Sequence, residues 1–352
     1  MPSGKYKQSG DWGTLVRRIK KRKRTRGIDW RTIIRRIKTG KCTPIISYQV
    51  SGNHFSKQDQ VVETWAKELD YPLADNHNLI RVAQYASINN RDTLATKEDY
   101  LEFLKDRLID KARDEGQYDE MFLDTLEDEV YDLTFSEVAG RLGYPRYDNE
   151  LDNPLRILAE LPLPIYLTTN YATYLEDALK QAGKEPRTEI CFWHDNLNDE
   201  DFVSVFKEDP DYHPSIENPI VFHLHGLDAV PSSLVLTEDD YLDFLIKVAE
   251  DPDVVPRRIS QALADSSLLM LGYQLTGWDF KTLFRGLVTS KRSNRRLLSL
   301  SIQYEYELEE EEIMNMADVQ DYIKKYFTKA NFDIYWGDTQ NFMKELWERW
   351  EG

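Results

Sequence analysis

Several short apolar runs in the chain end in polar groups of unusual type. Asn170 follows PIYLTT, His225 and Gly226 close PIVFHLHG, and Gly272-Tyr273-Gln274 follow SLLML. Each run is too short for a helix and is bounded by Pro, Gly or a polar turn, which predicts a buried strand. At the carboxyl ends of parallel strands, backbone N–H groups converge with the N-termini of the following helices and favour anionic ligands. An amide, an imidazole and glycines at such ends predict one ligand crevice built from distant parts of the chain. Plainer roles exist for each. Asn170 can cap a helix, and either His223 or His225 can be a structural histidine. Alternation along a strand points both imidazoles to the same side, with only His225 at the rim. No G-x-S-x-G, H-E-x-x-H or G-x-x-x-x-G-K-[ST] pattern occurs, so serine hydrolase, zinc protease and P-loop chemistry have no support.

Strands are expected at 43–47, 164–167, 219–225, 267–272, 297–303 and 332–336. Helices are expected between them: from Lys57 to Leu69, from Asn153-Pro154, from about Tyr171 capped by Thr168 or Thr169, from Thr237 with Asp240 as its capping-box partner, at 278–287, near 317–327, and from Asp338 to Trp350. Residues 76–150 read as helical, with Thr96 and Asp99 as a capping box and Tyr100, Phe103, Leu104 and Leu108 as the buried stripe. The stretch 186–218 reads as irregular. Asp279 reads as a helix cap, and the acidic run Glu309–Glu312 as a solvated turn rather than a metal site. Alternation of strands with helices predicts an α/β fold, a doubly wound Rossmann-like parallel sheet. A helical insert module at about 59–152 and a basic helical N-terminal arm at 1–40 complement the domain at 41–352.

The arm carries a repeat: DWGTLVRRIK at 11–20 recurs as DWRTIIRRIK at 29–38. Asp11 and Asp29 are predicted N-caps of two short amphipathic helices. Residues 1–41 hold 15 Lys/Arg against Asp11 and Asp29, whereas the whole chain carries a net charge of −17. A basic arm on an acidic body suits a neighbouring subunit's surface; nucleic acid is the less favoured partner. No apolar run is long enough to span a membrane, no secretory leader is evident, and the two cysteines, Cys42 and Cys191, exclude a disulfide scaffold or a Cys-rich zinc site. A cytoplasmic setting is expected.

The stretches TTNYATYLEDAL, VFHLHG and LLMLGYQLTGWDFKTLFRGL, together with YPLADNHNLIRVAQYA at 71–86 and FDIYWGDTQNFMKEL, resemble the sirtuin-like domains of bacterial antiphage defence proteins, over about residues 29–350. That family typically reads LGYxLxDWDFRxLFRGL at the third stretch. The resemblance implies NAD as substrate or ligand, no zinc, and cleavage of the nicotinamide–ribose bond. It implies that Asn170 holds the nicotinamide ribose or orients a water, and that His225 acts on a ribose hydroxyl as general base. Ser47, Ser51, Thr169, Gly226, Gly272 and Tyr273 would line the NAD site. It further implies a homo-oligomer, and a ring ATPase or an Argonaute-type protein as partner.

The chain departs from the pattern in three places. Tyr48 and Gln49 stand where the family has small residues, Ala172 stands where it has Asp, and Gly277 stands before Trp278 where it has Asp. An NAD hydrolase is therefore weighed against a sirtuin-like subunit that binds NAD, ADP-ribose or a partner without turnover. A zinc-free deacylase is the third reading.

Overall fold

The computed structural model describes residues 28–50, 58–146, 153–195, 197, 202–251, 253–273, 299–304, 318, 321, 325 and 331–351. In chain order the elements are α1 (Trp30–Lys38), β1 (Cys42–Ile46), α2 (Gln58–Glu68), α3 (Leu79–Asn90), α4 (Thr93–Asp114), α5 (Glu120–Glu129), α6 (Phe135–Arg141), α7 (Pro154–Glu160), β2 (Ile165–Thr168), α8 (Tyr174–Gln181), β3 (Arg187–Ile190), α9 (Val205–Glu208), β4 (Ile220–His223), α10 (Glu238–Glu250), α11 (Arg257–Asp265), β5 (Ser267–Leu271), β6 (Ser299–Tyr304), β7 (Asn331–Trp336) and α12 (Thr339–Glu351). Seven strands form one sheet in the order β3-β4-β2-β1-β5-β6-β7. Every pairing is parallel. The first repeat copy, Ser51, Gly277, Asp279, the helix at 278–287 and the acidic run at 309–312 lie outside the described residues; of the helix near 317–327, only 318, 321 and 325 are described, all helical.

Strand alternation sends side chains into two separate cores. Ile46, Tyr166, Val221, Leu269 and Leu271 pack with α1 through α8 and with α12. Ile45, Ile165, Leu167, Phe222 and Met270 pack with Tyr241 and Phe244 of α10 and with Ile259 and Leu263 of α11. Both sheet faces are covered, which is why these strands read as continuous apolar runs. The sheet is a doubly wound, Rossmann-like α/β fold. Its strand order reverses at β1, which has β2 on one side and β5 on the other.

Local signals explain most boundaries. Asp29 caps α1, accepting from the Thr32 N–H at 3.2 Å. Asn153 caps α7 with Pro154 in the first turn. Thr237 and Asp240 form the reciprocal capping box of α10. Asp338 accepts from the Asn341 N–H at 2.7 Å at the start of α12.

Three expectations are corrected. Residues 187–190 form the edge strand β3, not irregular chain; RTEI shows no apolar alternation because its edge position buries only Glu189 and Ile190. The cap of α4 is Asp92, bonded to the Leu94 and Ala95 N–H groups at 2.9 and 3.2 Å. Thr96 already lies in the first turn and bonds the Asp92 carbonyl. The helix after β2 starts at Tyr174 rather than Tyr171, because the turn before it uses its side chains on itself.

The second repeat copy is part of the folded body. Ile33 and Ile37 are buried in the core, and Trp30 stacks on Phe342 of α12 at 5.1 Å between ring centroids. Ile37→Ala is expected to destabilise the protein by about 2–5 kcal/mol, the cost of a cavity in a packed core. Urea titration checks this; an unchanged midpoint would mean that α1 is an appendage.

Candidate functional site

The parallel ladder sets five strand ends at one level. Ile190, His223, Thr168, Ile46 and Leu271 are mutual register partners across β3, β4, β2, β1 and β5, and each is the last residue of its strand. One further step of backbone bonds continues past them. The N–H of Cys191 donates to the His223 carbonyl, that of Leu224 to Thr168, that of Thr169 to Ile46, and that of Ser47 to Leu271, all at 2.8–3.0 Å. Asn170 and His225 therefore stand two residues beyond paired positions on neighbouring strands. Ser47, Thr169 and Gly272 sit one residue beyond, around β1 where the strand order reverses. Distant chain segments thus meet at one edge, where ligands bind in open α/β sheets.

The turn after β2 is locked from inside. Thr168 Oγ1 accepts from the Asn170 N–H at 2.9 Å, and Asn170 Oδ1 accepts from the Ala172 N–H at 3.0 Å. Asn170 thus caps its own turn, and its side-chain orientation is fixed. Its carbonyl meets His223 Nδ1 at 2.7 Å, while His223 Nε2 meets Glu176 Oε1 at 2.8 Å. Burial alone would push the His223 imidazole down. The Glu176 charge and hydrogen bond, the Asn170 carbonyl and Asp228 outweigh this and hold it above its ordinary 6.5. Glu176 also accepts from Thr188 Oγ1 of β3 at 2.9 Å. One carboxylate therefore links α8, β3 and β4 to the Asn170 turn.

His225 occupies a different environment. β4 ends at His223, and the chain turns at Leu224 and His225. The two imidazoles consequently face opposite cores, not the same side. His225 is 4% exposed and packs edge-to-face on Tyr241 and Phe244 of α10, with centroids 5.2 and 5.1 Å away. Its Nε2 is buried without a hydrogen-bond partner among the described residues. Burial pushes this imidazole down to about 3, so it is neutral at physiological pH.

The two glycines have clear reasons. Gly226 has φ +87°, and a Cβ there would lie 2.3 Å from the Ser233 carbonyl oxygen. Gly272 has φ +72°, and a Cβ there would lie 2.6 Å from Val50 Cγ2, so glycine lets the loop after β1 approach. Ser47 is fully buried and its Oγ accepts from the Gln49 N–H at 3.3 Å. Thr169 Oγ1 lies 3.4 Å from the hydroxyl of Tyr273, across β1. Sequence reading missed Glu176 and Asp228. Asp228 accepts from the N–H and hydroxyl of Ser136 in α6, and Ser136 Oγ in turn accepts from the Thr173 N–H. Neither acid stands at a strand end, and distant partners reveal them: His223 for Glu176, 47 residues away, and Ser136 for Asp228, 92 residues away. A separate cavity of about 840 Å³ opens at the β3 edge beside Phe192, Phe206, Lys247 and Arg257, away from Asn170. Among the described residues, no group of three His, Cys, Asp or Glu is placed to hold a metal ion.

The two histidines give opposite pH dependences. His223, raised when folded, stabilises below 6.5, and this contribution is lost as pH rises through its folded value. His225, lowered when folded, stabilises above 6.5, and this contribution is lost as pH falls toward 3. Thermal melts are expected to weaken on both sides of this region. His223→Gln should remove most of the alkaline slope and lower stability by about 3–5 kcal/mol, the cost of leaving a buried carboxylate uncompensated. An unaltered alkaline slope in that variant would refute the assignment.

Residues 164–330 match the SIR2-like domain family. Two curated relatives are similar at low identity, both named NAD(+) hydrolase ThsA. The protein from Enterococcus faecium is 26% identical over 42% of this chain and 27% of its own length. That from Bacillus cereus (strain MSX-D12) is 25% identical over 51% of this chain and 36% of its own length. The chain thus matches about a third of the length of these relatives. The matched region begins just before β2, so β1 and the helical module precede it although they share its sheet and core. The stretch of this chain that is similar to a SIR2-like domain runs from just before β2 to just before β7.

Proposed function

We propose that the protein hydrolyses NAD, breaking the bond between nicotinamide and ribose to give ADP-ribose. One observation carries the reading most: the Nε2 of His225, without a partner among the described residues, lies two residues past the end of β4, as Asn170 lies two residues past the end of the neighbouring β2. The similarity to the ThsA NAD(+) hydrolases points to the same substrate. In this reaction the C–N bond breaks with its electron pair leaving on neutral nicotinamide. The ribose develops oxocarbenium character, as in glycoside hydrolysis, and water adds to it with loss of one proton. A neutral imidazole with an open acceptor suits the proton of a ribose hydroxyl or of that water. The Asn170 side chain, fixed by the Ala172 N–H, suits positioning of the ribose or the water.

Ser47, Thr169, Gly226, Gly272 and Tyr273 would surround the dinucleotide, and Ser51 is proposed with them. Gly226 and Gly272 also have the backbone reasons given above. The wider proposal is an antiphage effector acting as a homo-oligomer in the cytoplasm, alone or with a ring ATPase or Argonaute-type partner. Among the described residues no helix is long and apolar enough to cross a membrane.

A second reading is favoured by a specific observation. Ala172, buried at 2% exposure, stands where the resembled family has an acid. A subunit that binds NAD without turnover would fit that loss. Chromatographic measurement of NAD and nicotinamide with the purified protein separates the two. Hydrolysis by wild type, reduced about 10²–10⁴-fold in His225→Ala as expected for a lost general base, supports turnover. Tight binding of intact NAD with no nicotinamide formed supports the second reading, and Ala172→Asp should then restore hydrolysis.

A further inference from the structure

We infer that the helical module between β1 and β2 positions the His225 imidazole through the first turn of α10, with Lys97 as the residue that carries the coupling. This rests on the reading of His225 as a functional base.

Three consecutive residues open α10, and each is bound by the module. Glu238 pairs with Arg81 of α3 at 3.5 Å. Asp239 exchanges two hydrogen bonds with the Gln84 side chain, at 2.8 and 3.2 Å. Asp240 receives Lys97 Nζ of α4 at 3.0 Å. The next residue, Tyr241, and Phe244 one turn on are the rings that enclose His225. The element that keeps His225 dry is thus held at its start by a different part of the chain.

Lys97 is the strongest of the three ties. Its side chain and that of Asp240 are 4% and 8% exposed, whereas the Arg81–Glu238 pair lies in solvent, where such pairs are weak. Asp240 uses its other oxygen on the N–H groups of Leu236 and Thr237, both at 3.0 Å, so one carboxylate fixes the helix start and its tie to α4. The Lys97 ammonium also lies 5.2 Å from the centre of the Trp193 ring. The indole N–H of Trp193 donates to the Ser233 carbonyl at 2.7 Å. That carbonyl oxygen is the atom a Gly226 Cβ would strike. The His225 carbonyl accepts from Val235 at 3.0 Å, two residues past Ser233. Lys97 therefore reaches His225 by two routes: through α10 to the ring, and through Trp193 and Ser233 to the backbone. A shift of the module moves Tyr241 and Phe244 away from His225 and opens the imidazole to solvent or substrate.

Two readouts that need no NAD test this. One is the imidazole NMR titration of His225. The other is its acylation by diethyl pyrocarbonate, read by peptide mass spectrometry. In wild type, His225 is expected not to titrate between pH 5 and 8 and to react slowly. In Lys97→Met, of similar length without the charge, His225 should titrate in that range and react at least about tenfold faster, as local opening is made easier by about one decade. Lys97→Arg should restore slow reaction. A folded Lys97→Met protein with His225 still silent and unreactive overturns the inference. Should Lys97→Met fail to fold, Lys97→Gln, which keeps a polar head without the charge, replaces it. A several-fold faster acylation there supports the coupling, and an unchanged rate overturns it. Neither result depends on whether the protein cleaves NAD.

Discussion

A parallel ladder with five strands ending at one level is the constraint on which the site depends. Parallel pairing advances each strand's hydrogen bonds in the same direction, so a common last residue becomes a common edge. Ile190, His223, Thr168, Ile46 and Leu271 mark that edge. The residues one and two positions beyond, drawn from segments separated by more than 200 residues in sequence, are brought side by side, and Thr169 and Tyr273 meet there hydroxyl to hydroxyl. The glycines at 226 and 272 then permit the chain to leave the edge tightly, against Ser233 and Val50.

Within that edge, one tripeptide, His223-Leu224-His225, performs two opposite electrostatic tasks. His223 is buried against a carboxylate and a carbonyl, which favour the charged imidazole more than burial disfavours it. His225 is buried against two aromatic rings and nothing compensates, so its neutral form prevails. The first histidine is a strut: it bonds the Asn170 turn to α8 and, through Glu176, to β3. The second buries an Nε2 that has no hydrogen-bond partner among the described residues. A buried polar atom with no partner costs free energy, and a bound hydroxyl would recover it.

The helical module belongs to the same economy of contacts. Its residues join the core on one sheet face, with Trp65 and Tyr100 in contact at 4.8 Å between centroids. Yet it also reaches over to α10 on the other face, through Arg81, Gln84 and Lys97. It thereby connects the two cores independently of the sheet. Ser136 of α6 adds a fourth tie, to Asp228 just past His225.

Much of the fold was legible in sequence because its signals are local. Short apolar runs marked β1, β2, β4 and β5 within about one or two residues at their starts, and Asp29, Asn153, Thr237 and Asp338 announced their helices by side-chain capping. Asn170 and His225 were selected for their type at strand ends, and the pairing of β2 with β4 does set those ends side by side. The edge strand β3 was not legible, since RTEI lacks alternation and its pairing with β4 is the only reason it is extended. The sequence by itself determined the strand–helix rhythm, the caps and the residue types at the rim, all of which depend on neighbours a few positions away. Only the tertiary structure decided that His223 is bonded and held above its ordinary value while His225 is buried and pushed below it, and that Glu176, Asp228 and Lys97 matter. Those properties come from desolvation and from partners 47 to 143 residues distant, whose identity no local pattern encodes.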